Sequence, residues 1–440
     1  MNITKFSQDI SNDDKSFVTN KVTLFNQFYS GDCPQYHRFR LGKKKNEYKI
    51  ISLNMTKQIG EDNASLIINE NLSFNVQDNV VKNFLLGDDD SFRGGELGRI
   101  NFWEEIVKAT EKLYSYSGSV LLTYLPNYFL DNCPFKDGGF KFKILTTLDF
   151  AVSKCGRRVY FESDIVDKDG NPRIFKIENK REVYLDDDYL GQTDYDCVFQ
   201  LNTAAANNFY QNSNFTIAPQ MNALAWLVFC DLVSNNFRLD FDLGKKSIFI
   251  KQDYLSTEFS KDKEVLESSL PDLIYTIPSS NEMKDTLMKE FNPTIRTPEN
   301  KEGLNFGLQR LGEKVGFGKK FYQADETGHI TAYQTRVSNY ALTYYLEKQR
   351  TNYRSVLPKF CNAVAIANGL SPTIIDCTFD DRALSDPDTE RKDDVALVTA
   401  GLMSKVEFRQ KWFKETPDEA AAKLALIDAE RPTFSGFSFD

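Results

Sequence analysis

Few residues of this chain could do chemistry, and their spacing argues against most of what they could do. A phosphate cradle needs Gly-x-x-x-x-Gly-Lys-Ser/Thr, so that successive amides and one ammonium face the phosphates. Gly307 and Gly312 have the glycine spacing, but Glu313 stands where the lysine is required. Gly318-Lys319, Gly244-Lys245 and Gly42-Lys43 each lack the first glycine. The two histidines, His37 and His329, lie 292 positions apart. That supports neither a two-histidine metal site nor a Ser-His-Asp triad, and both are expected on the surface. The runs Asp88-Asp89-Asp90 and Asp186-Asp187-Asp188 could hold a divalent metal for phosphodiester cleavage. Each sits in a turn-like context without a partner carboxylate at a recognisable spacing, so solvated loop charge is expected. Lys319 and Lys320 beside Phe321 and Tyr322 could meet a nucleic-acid backbone, or could be a loop root packed against a neighbour. No catalytic residue, metal site or cofactor is expected.

The elements that must carry the last cluster organise the chain. Leu304, Leu308, Leu311 and Val315 recur at spacings of four, three and four, one face of an α-helix. Gly316 and Gly318 then supply a stop, because glycine accepts the left-handed turn that ends helices. Residues 319–331 mix charge, aromatics and Gly328 and read as an exposed loop. From Ala332 the helical pattern resumes through Tyr333, Val337, Tyr340, Tyr344, Leu346, Tyr353, Leu357, Phe360 and Val364. A helix of about 35 residues would span roughly 50 Å, and Pro358 inside it is expected to kink it.

The rest of the chain reads as alternating helical and β-rich blocks. Helices are expected over 15–30, 54–70, 101–114 and 219–243, and a strand over 119–124. Residues 138–200 alternate in the manner of an antiparallel meander, with a hairpin turn at Asp167-Lys168-Asp169-Gly170-Asn171. Lys246-Ser247-Ile248-Phe249-Ile250 reads as a strand. Residues 251–298 are polar and punctuated by Pro271, Pro278, Pro293 and Pro298, a small insert between two helices that could lie antiparallel. In the C-terminal region Pro387 starts a helix that Gly401 closes. Ser404-x-x-Glu407 and Thr416-x-x-Glu419 are capping boxes that open two more.

At 440 residues the chain suggests two to four structural regions. A hydrophobic fraction of 41% with 27% charged residues fits a soluble protein. No apolar run is long enough for a membrane span, and Met1-Asn2-Ile3-Thr4-Lys5 has no apolar signal core, so secretion is not expected. Seven scattered cysteines without a Cys-x-x-Cys pair suggest reduced thiols in a cytoplasmic protein. The net charge is −9, whereas a chain gripping DNA over its whole surface is more often basic. Either nucleic acid is not a ligand, or it passes without sticking.

In order and spacing these blocks resemble portal proteins of long-tailed phages that infect Gram-positive bacteria. The resemblance is carried by the Asn54–Glu70 helix with its Ala64-Ser65-Leu66-Ile67-Ile68-Asn69-Glu70 end. It continues in the Asn101-Phe102-Trp103 helix running into Tyr116-Ser117-Gly118-Ser119, and in the Met221–Gly244 helix with its following strand. Phe291-Asn292-Pro293-Thr294-Ile295-Arg296 and Leu397-Val398-Thr399-Ala400-Gly401-Leu402-Met403-Ser404-Lys405 complete it. Relatives often carry Thr-Ala-Thr-Glu after the loop glycine; here Thr331-Ala332-Tyr333-Gln334-Thr335 follows Gly328, with no glutamate.

The resemblance implies an α+β portal fold and a non-enzymatic role. Residues 1–220 would be the wing, with helices and a β-meander. Stem helices would span 221–244 and 299–317, flanking a small β-containing clip at 245–298. Residues 318–333 would be the tunnel loop, 334–384 the long kinked spine helix with a return strand of the wing, and 385–440 the crown and C-terminal tail. Lys319, Lys320, Tyr322, Gln323, Asp325, Glu326 and His329 would face double-stranded DNA in a channel. Lys245, Lys246 and Lys251 in the clip would meet the terminase large subunit and the head-tail adaptor. A homo-oligomeric, dodecameric ring is implied at one vertex of the virion capsid, assembled in the host cytoplasm with the major capsid and scaffolding proteins, away from any membrane. Many acidic copies would make a negative lumen that repels DNA, which carries one charge per about 1.7 Å, so the duplex can slide. The competing readings are a metal-dependent DNA-processing enzyme built on the Asp runs, and another phage structural subunit such as a capsid or adaptor protein.

Overall fold

Ser11 opens the first helix: its hydroxyl accepts the Asp13 N–H at 3.2 Å. In a computed structural model this chain is described at residues 8–41, 46–68, 72–87, 94–126, 140–166, 168, 170–243, 247–251, 274–277, 288–291, 295–319, 321–322, 332–379, 387–413, 415 and 417–430. Only the backbone is described at 39–41, 46–48, 242–243, 247–251, 274–277, 288–291, 332–341, 387–390, 418 and 428–430. The chain divides into two compact units, 1–378 and 379–440.

The helix expected at 15–30 is α1 (Asn12–Phe17) and α2 (Thr23–Tyr29), joined by a wide π-turn at Val18–Val22. It buries Phe17, Val22, Phe25 and Phe28. The short α3 (Pro34–His37) leads into the hairpin β1 (Arg38–Leu41) and β2 (Asn46–Lys49). The next expected helix is α4 (Met55–Ile67), ending three residues early and burying Ile59, Ala64 and Ile67. After β3 (Ser73–Val76), α5 (Asn79–Leu86) and α6 (Gly95–Arg99) comes α7 (Phe102–Lys112), which widens into a π-turn over Leu113–Ser117.

Two sheets follow. β4 (Ser119–Pro126) lies between β5 (Phe140–Thr146) and β11 (Val198–Asn202) and is buried along its whole length. The second sheet is the expected antiparallel meander of β6 (Phe150–Val152), β7 (Arg158–Val166), β8 (Pro172–Glu178), β9 (Glu182–Leu185) and β10 (Asp188–Gln192). β7 and β8 pair across the expected hairpin turn.

A turn at Pro219–Ala223 opens α8 (Leu224–Leu243). A small sheet then places β12 (Ser247–Lys251) between β13 (Ile274–Ile277), parallel to it, and β14 (Met288–Phe291), antiparallel. Helix α9 (Thr297–Val315) starts two residues before the expected 299, because Pro298 sits in its first turn, where a missing N–H costs nothing. The long helix α10 (Ala332–Ala367) runs as one element through Pro358. It delivers Phe360 into the core, stacked on Phe102 at 5.3 Å and also 5.3 Å from Phe142. β15 (Ile375–Thr378) then returns to pair antiparallel with β3.

The second unit holds α11 (Pro387–Thr399), α12 (Lys405–Phe413) and α13 (Pro417–Glu430). The first capping box closes both ways: the Ser404 N–H donates to Glu407 at 2.8 Å, and the Glu407 N–H to the Ser404 hydroxyl at 3.0 Å. Thr416 of the second box lies outside the described residues. Two acids hold the unit together. Asp394 accepts from Trp412 at 2.8 Å and pairs with Lys411 at 2.6 Å. Glu415 binds Arg409 at 2.8 Å and Lys423 at 2.7 Å.

Two expectations need correction. His37 is not on the surface but buried at 1% exposure. It can be buried because both ring nitrogens are satisfied: Nδ1 accepts the Cys33 N–H at 3.1 Å, which leaves Nε2 to donate to Asp231 at 3.0 Å. Asp186 and Asp188 are not free loop charges. Asp186, in the turn after β9, and Asp188, which opens β10, pair with Arg173 at 2.9 and 3.0 Å. Asp88-Asp89-Asp90 and His329 lie outside the described residues. Cys33, Cys197, Cys230, Cys361 and Cys377 are buried free thiols, and Cys155 is exposed.

Candidate functional site

Helices α8 and α9 form an antiparallel pair whose contacts fix their register. Trp226 meets Phe306 at 5.8 Å between ring centroids. At the far end Asp240 accepts from Asn300 at 2.8 Å and Arg296 at 3.1 Å. Rising numbers on one helix thus meet falling numbers on the other. Asn300 and then Arg296 hold the Asp240 carboxyl below its usual range. Gly307 faces Phe229 and Cys230 so closely that a Cβ there would lie 2.8 and 2.9 Å from their side-chain atoms. A missing side chain is what lets the helices approach. Leu232, Leu239, Phe241 and Phe306 remain exposed on the pair. The sheet of β12, β13 and β14 lies in sequence between the two helices. Lys251 ends β12, and its side chain, like Lys245 and Lys246, lies outside the description.

The other end of α9 is the root of a loop. Gly316 closes the helix at φ 105°, with its N–H and that of Phe317 both donating to the Gly312 carbonyl, at 3.1 and 3.0 Å. A Cβ on Gly316 would strike the Tyr345 ring at 2.5 Å. The turn drives Phe317 into an aromatic box: its ring lies 4.5 Å from Phe321, 6.0 Å from Tyr322 and 5.7 Å from Tyr345. The Tyr322 hydroxyl donates to Asp62 at 2.9 Å, and the Tyr345 hydroxyl to Asn63 at 2.9 Å. Burial, reinforced by Asp62, raises the Tyr322 hydroxyl far above its ordinary value. Burial also raises the Asp62 carboxyl, against the hydrogen bonds it receives from Gln58 and Tyr322. Lys319 is exposed and reaches Glu313 at 3.3 Å, while Arg310 binds the same carboxylate at 2.9 Å. Burial would raise Glu313, but these two cations outweigh it and hold it low.

Of the loop residues expected to face DNA, Lys319 is therefore paired and solvent-facing, and the Tyr322 hydroxyl is tied to α4. Lys320, Gln323, Asp325, Glu326 and His329 lie outside the described residues. The partners Asp62, Asn63 and Tyr345 were not singled out. Tyr322 and Asp62 are 260 positions apart, and no local pattern joins them.

Below its first turns α10 is fastened to the body by buried polar contacts. Gln349 accepts from the Tyr114 hydroxyl at 3.0 Å and from the Ala204 N–H at 2.8 Å. Tyr353 meets Thr110 at 3.0 Å, and Arg350 donates to the Leu66 carbonyl at 3.1 Å. The loop root and the long helix thus share one rigid support.

No family model and no curated protein matches this sequence. A chain of a solved structure described as the virion of a native gene transfer agent particle is similar at 14% identity, over 88% of this chain and 91% of that one, with a TM-score of 0.40.

Proposed function

We propose that this chain is a portal-type subunit: many copies form a ring around a channel through which double-stranded DNA passes into and out of a phage-like capsid. The observation that carries this reading is the sequence of parts between 224 and 367. An antiparallel helix pair has a small sheet between its two members in sequence and an aromatic turn after the second, and a long helix fastened to an α+β body comes next. On the helix pair Leu232, Leu239, Phe241 and Phe306 are partly exposed. In a ring those side chains would face neighbouring subunits. The net charge of −9 per chain would give the lumen a repulsive wall, so that the duplex slides rather than binds.

In this reading the protein is not an enzyme. Force would come from a separate terminase docked on the β12–β14 end, which would later meet a head-tail adaptor. Asp186 and Asp188 are engaged by Arg173, which favours the non-enzymatic reading over a metal-dependent nuclease built on that run. Native mass spectrometry of the purified chain tests the proposal. The expected species is a large closed assembly whose mass is a multiple of 50.5 kDa. A strictly monomeric species across concentration and salt, or magnesium-dependent DNA cleavage, would overturn it.

A further inference from the structure

We propose that Asp62 and Asn63, consecutive residues of α4, are a shared pair of acceptors that ties the 317–322 turn to the long helix α10, so that α4 sets the position of both. Tyr322 leaves the turn and Tyr345 stands on α10, yet their hydroxyls end on neighbouring residues of one helix, each at 2.9 Å. Both acceptors are oriented by the turn of α4 before them. Gln58 donates to Asp62 Oδ1 at 2.9 Å, which leaves Oδ2 for Tyr322. The Asn63 amide nitrogen donates to the Ile59 carbonyl at 2.8 Å, which turns Oδ1 toward Tyr345. Phe317 fills the space between the two tyrosine rings at 2% exposure, so the hydroxyls cannot separate without opening an apolar core.

The support is itself fixed. A Cβ on Gly60 would lie 2.6 Å from the Glu111 carbonyl, so α4 presses on the end of α7 and cannot shift without it. A displacement of α7 is thereby carried through Asp62 to the root of the loop. Asp62 is the stronger of the two acceptors, because a carboxylate makes a charge-assisted bond and an amide does not. The functional consequence, control of a loop beside DNA, rests on the portal reading; the mechanical link does not.

Hydrogen exchange on the full-length chain tests the link whether or not rings form. Tyr322→Phe removes one hydroxyl and keeps the ring in its box, and Asp62→Ala removes the acceptor. Each is expected to speed exchange at amides 318–322 about ten- to a hundredfold, the range for losing a hydrogen bond to a charged group. The double variant is expected to exceed neither by much, because both changes break one bond. Unchanged exchange, or additive effects in the double variant, would overturn the proposal. So would an acceleration spread evenly to β7 and β8, which would mean general destabilisation rather than a released root. If exchange responds as expected but no rings exist, the portal reading fails and the link stands.

Discussion

Two glycines one turn apart on α9 allow the helix pair to be tested against itself. Gly303 and Gly307 both sit inside the helix, where alanine is favoured over glycine by about 1 kcal/mol. At Gly303 a new Cβ would lie 3.6 Å from Val233, an ordinary contact. Gly303→Ala is therefore expected to stabilise by about 1 kcal/mol. At Gly307 the Cβ would overlap Phe229 at 2.8 and 3.0 Å and Cys230 at 2.9 Å. Neither neighbour can easily move, being a ring edge close to its own backbone and a short side chain. Overpacking of this kind costs about 1–3 kcal/mol. Offset by the same propensity gain, Gly307→Ala should destabilise by up to about 2 kcal/mol. The two variants should thus differ by about 1–3 kcal/mol, with Gly303→Ala the more stable. Trp226 reports the crossing, because it packs on Phe306 and Phe229, each at 5.8 Å. Urea unfolding followed by its fluorescence, with Trp103 and Trp412 replaced by Phe, gives both midpoints. If both alanines shift the midpoint equally and in the same direction, the helices do not cross at Gly307 and the assigned pair is wrong.

Other outcomes follow from single contacts. Arg409, and then Lys423, pull the Glu415 carboxyl down to about 2 from an ordinary value of 4.5. Its folded-state pKa is depressed, so its contribution is complete above about 4.5 and disappears as pH falls through about 2. Trp412 emission, read with Trp103 and Trp226 replaced, should hold steady to about pH 4.5 and shift below it. Asp231→Asn keeps the shape but turns an amide donor toward the His37 Nε2–H or the Leu53 N–H, now bonded at 3.0 and 2.7 Å. It should cost about 1–3 kcal/mol in urea unfolding of the first unit. Ser404→Ala should cost about 1 kcal/mol, seen as faster exchange at the start of α12 with no change in α8 or α9.

Periodicity made most of the helices legible. The spacing of Leu304, Leu308, Leu311 and Val315 marked α9, and Gly316 marked its end. Alternation marked the meander, and Ser404-x-x-Glu407 marked a cap that forms in both directions. Local pattern misses what distant residues decide. The π-turns at Val18–Val22 and Leu113–Ser117 leave no signature in hydrophobic spacing. A lone histidine reads as a surface residue until Asp231, 194 positions away, supplies its partner. The Lys-Lys-Phe-Tyr cluster was legible as a loop root or a DNA contact. Asp62 decides the place of Tyr322, and nothing in the sequence near either residue announces the other.

Cryo-electron microscopy of the purified full-length chain tests the central claim most directly. The account predicts a closed ring pierced by an axial hole, with the α8–α9 pairs packed side by side around it and the Tyr322 root turned toward the axis. A solitary compact particle, or a ring whose helix pairs and loop roots point outward, would contradict it.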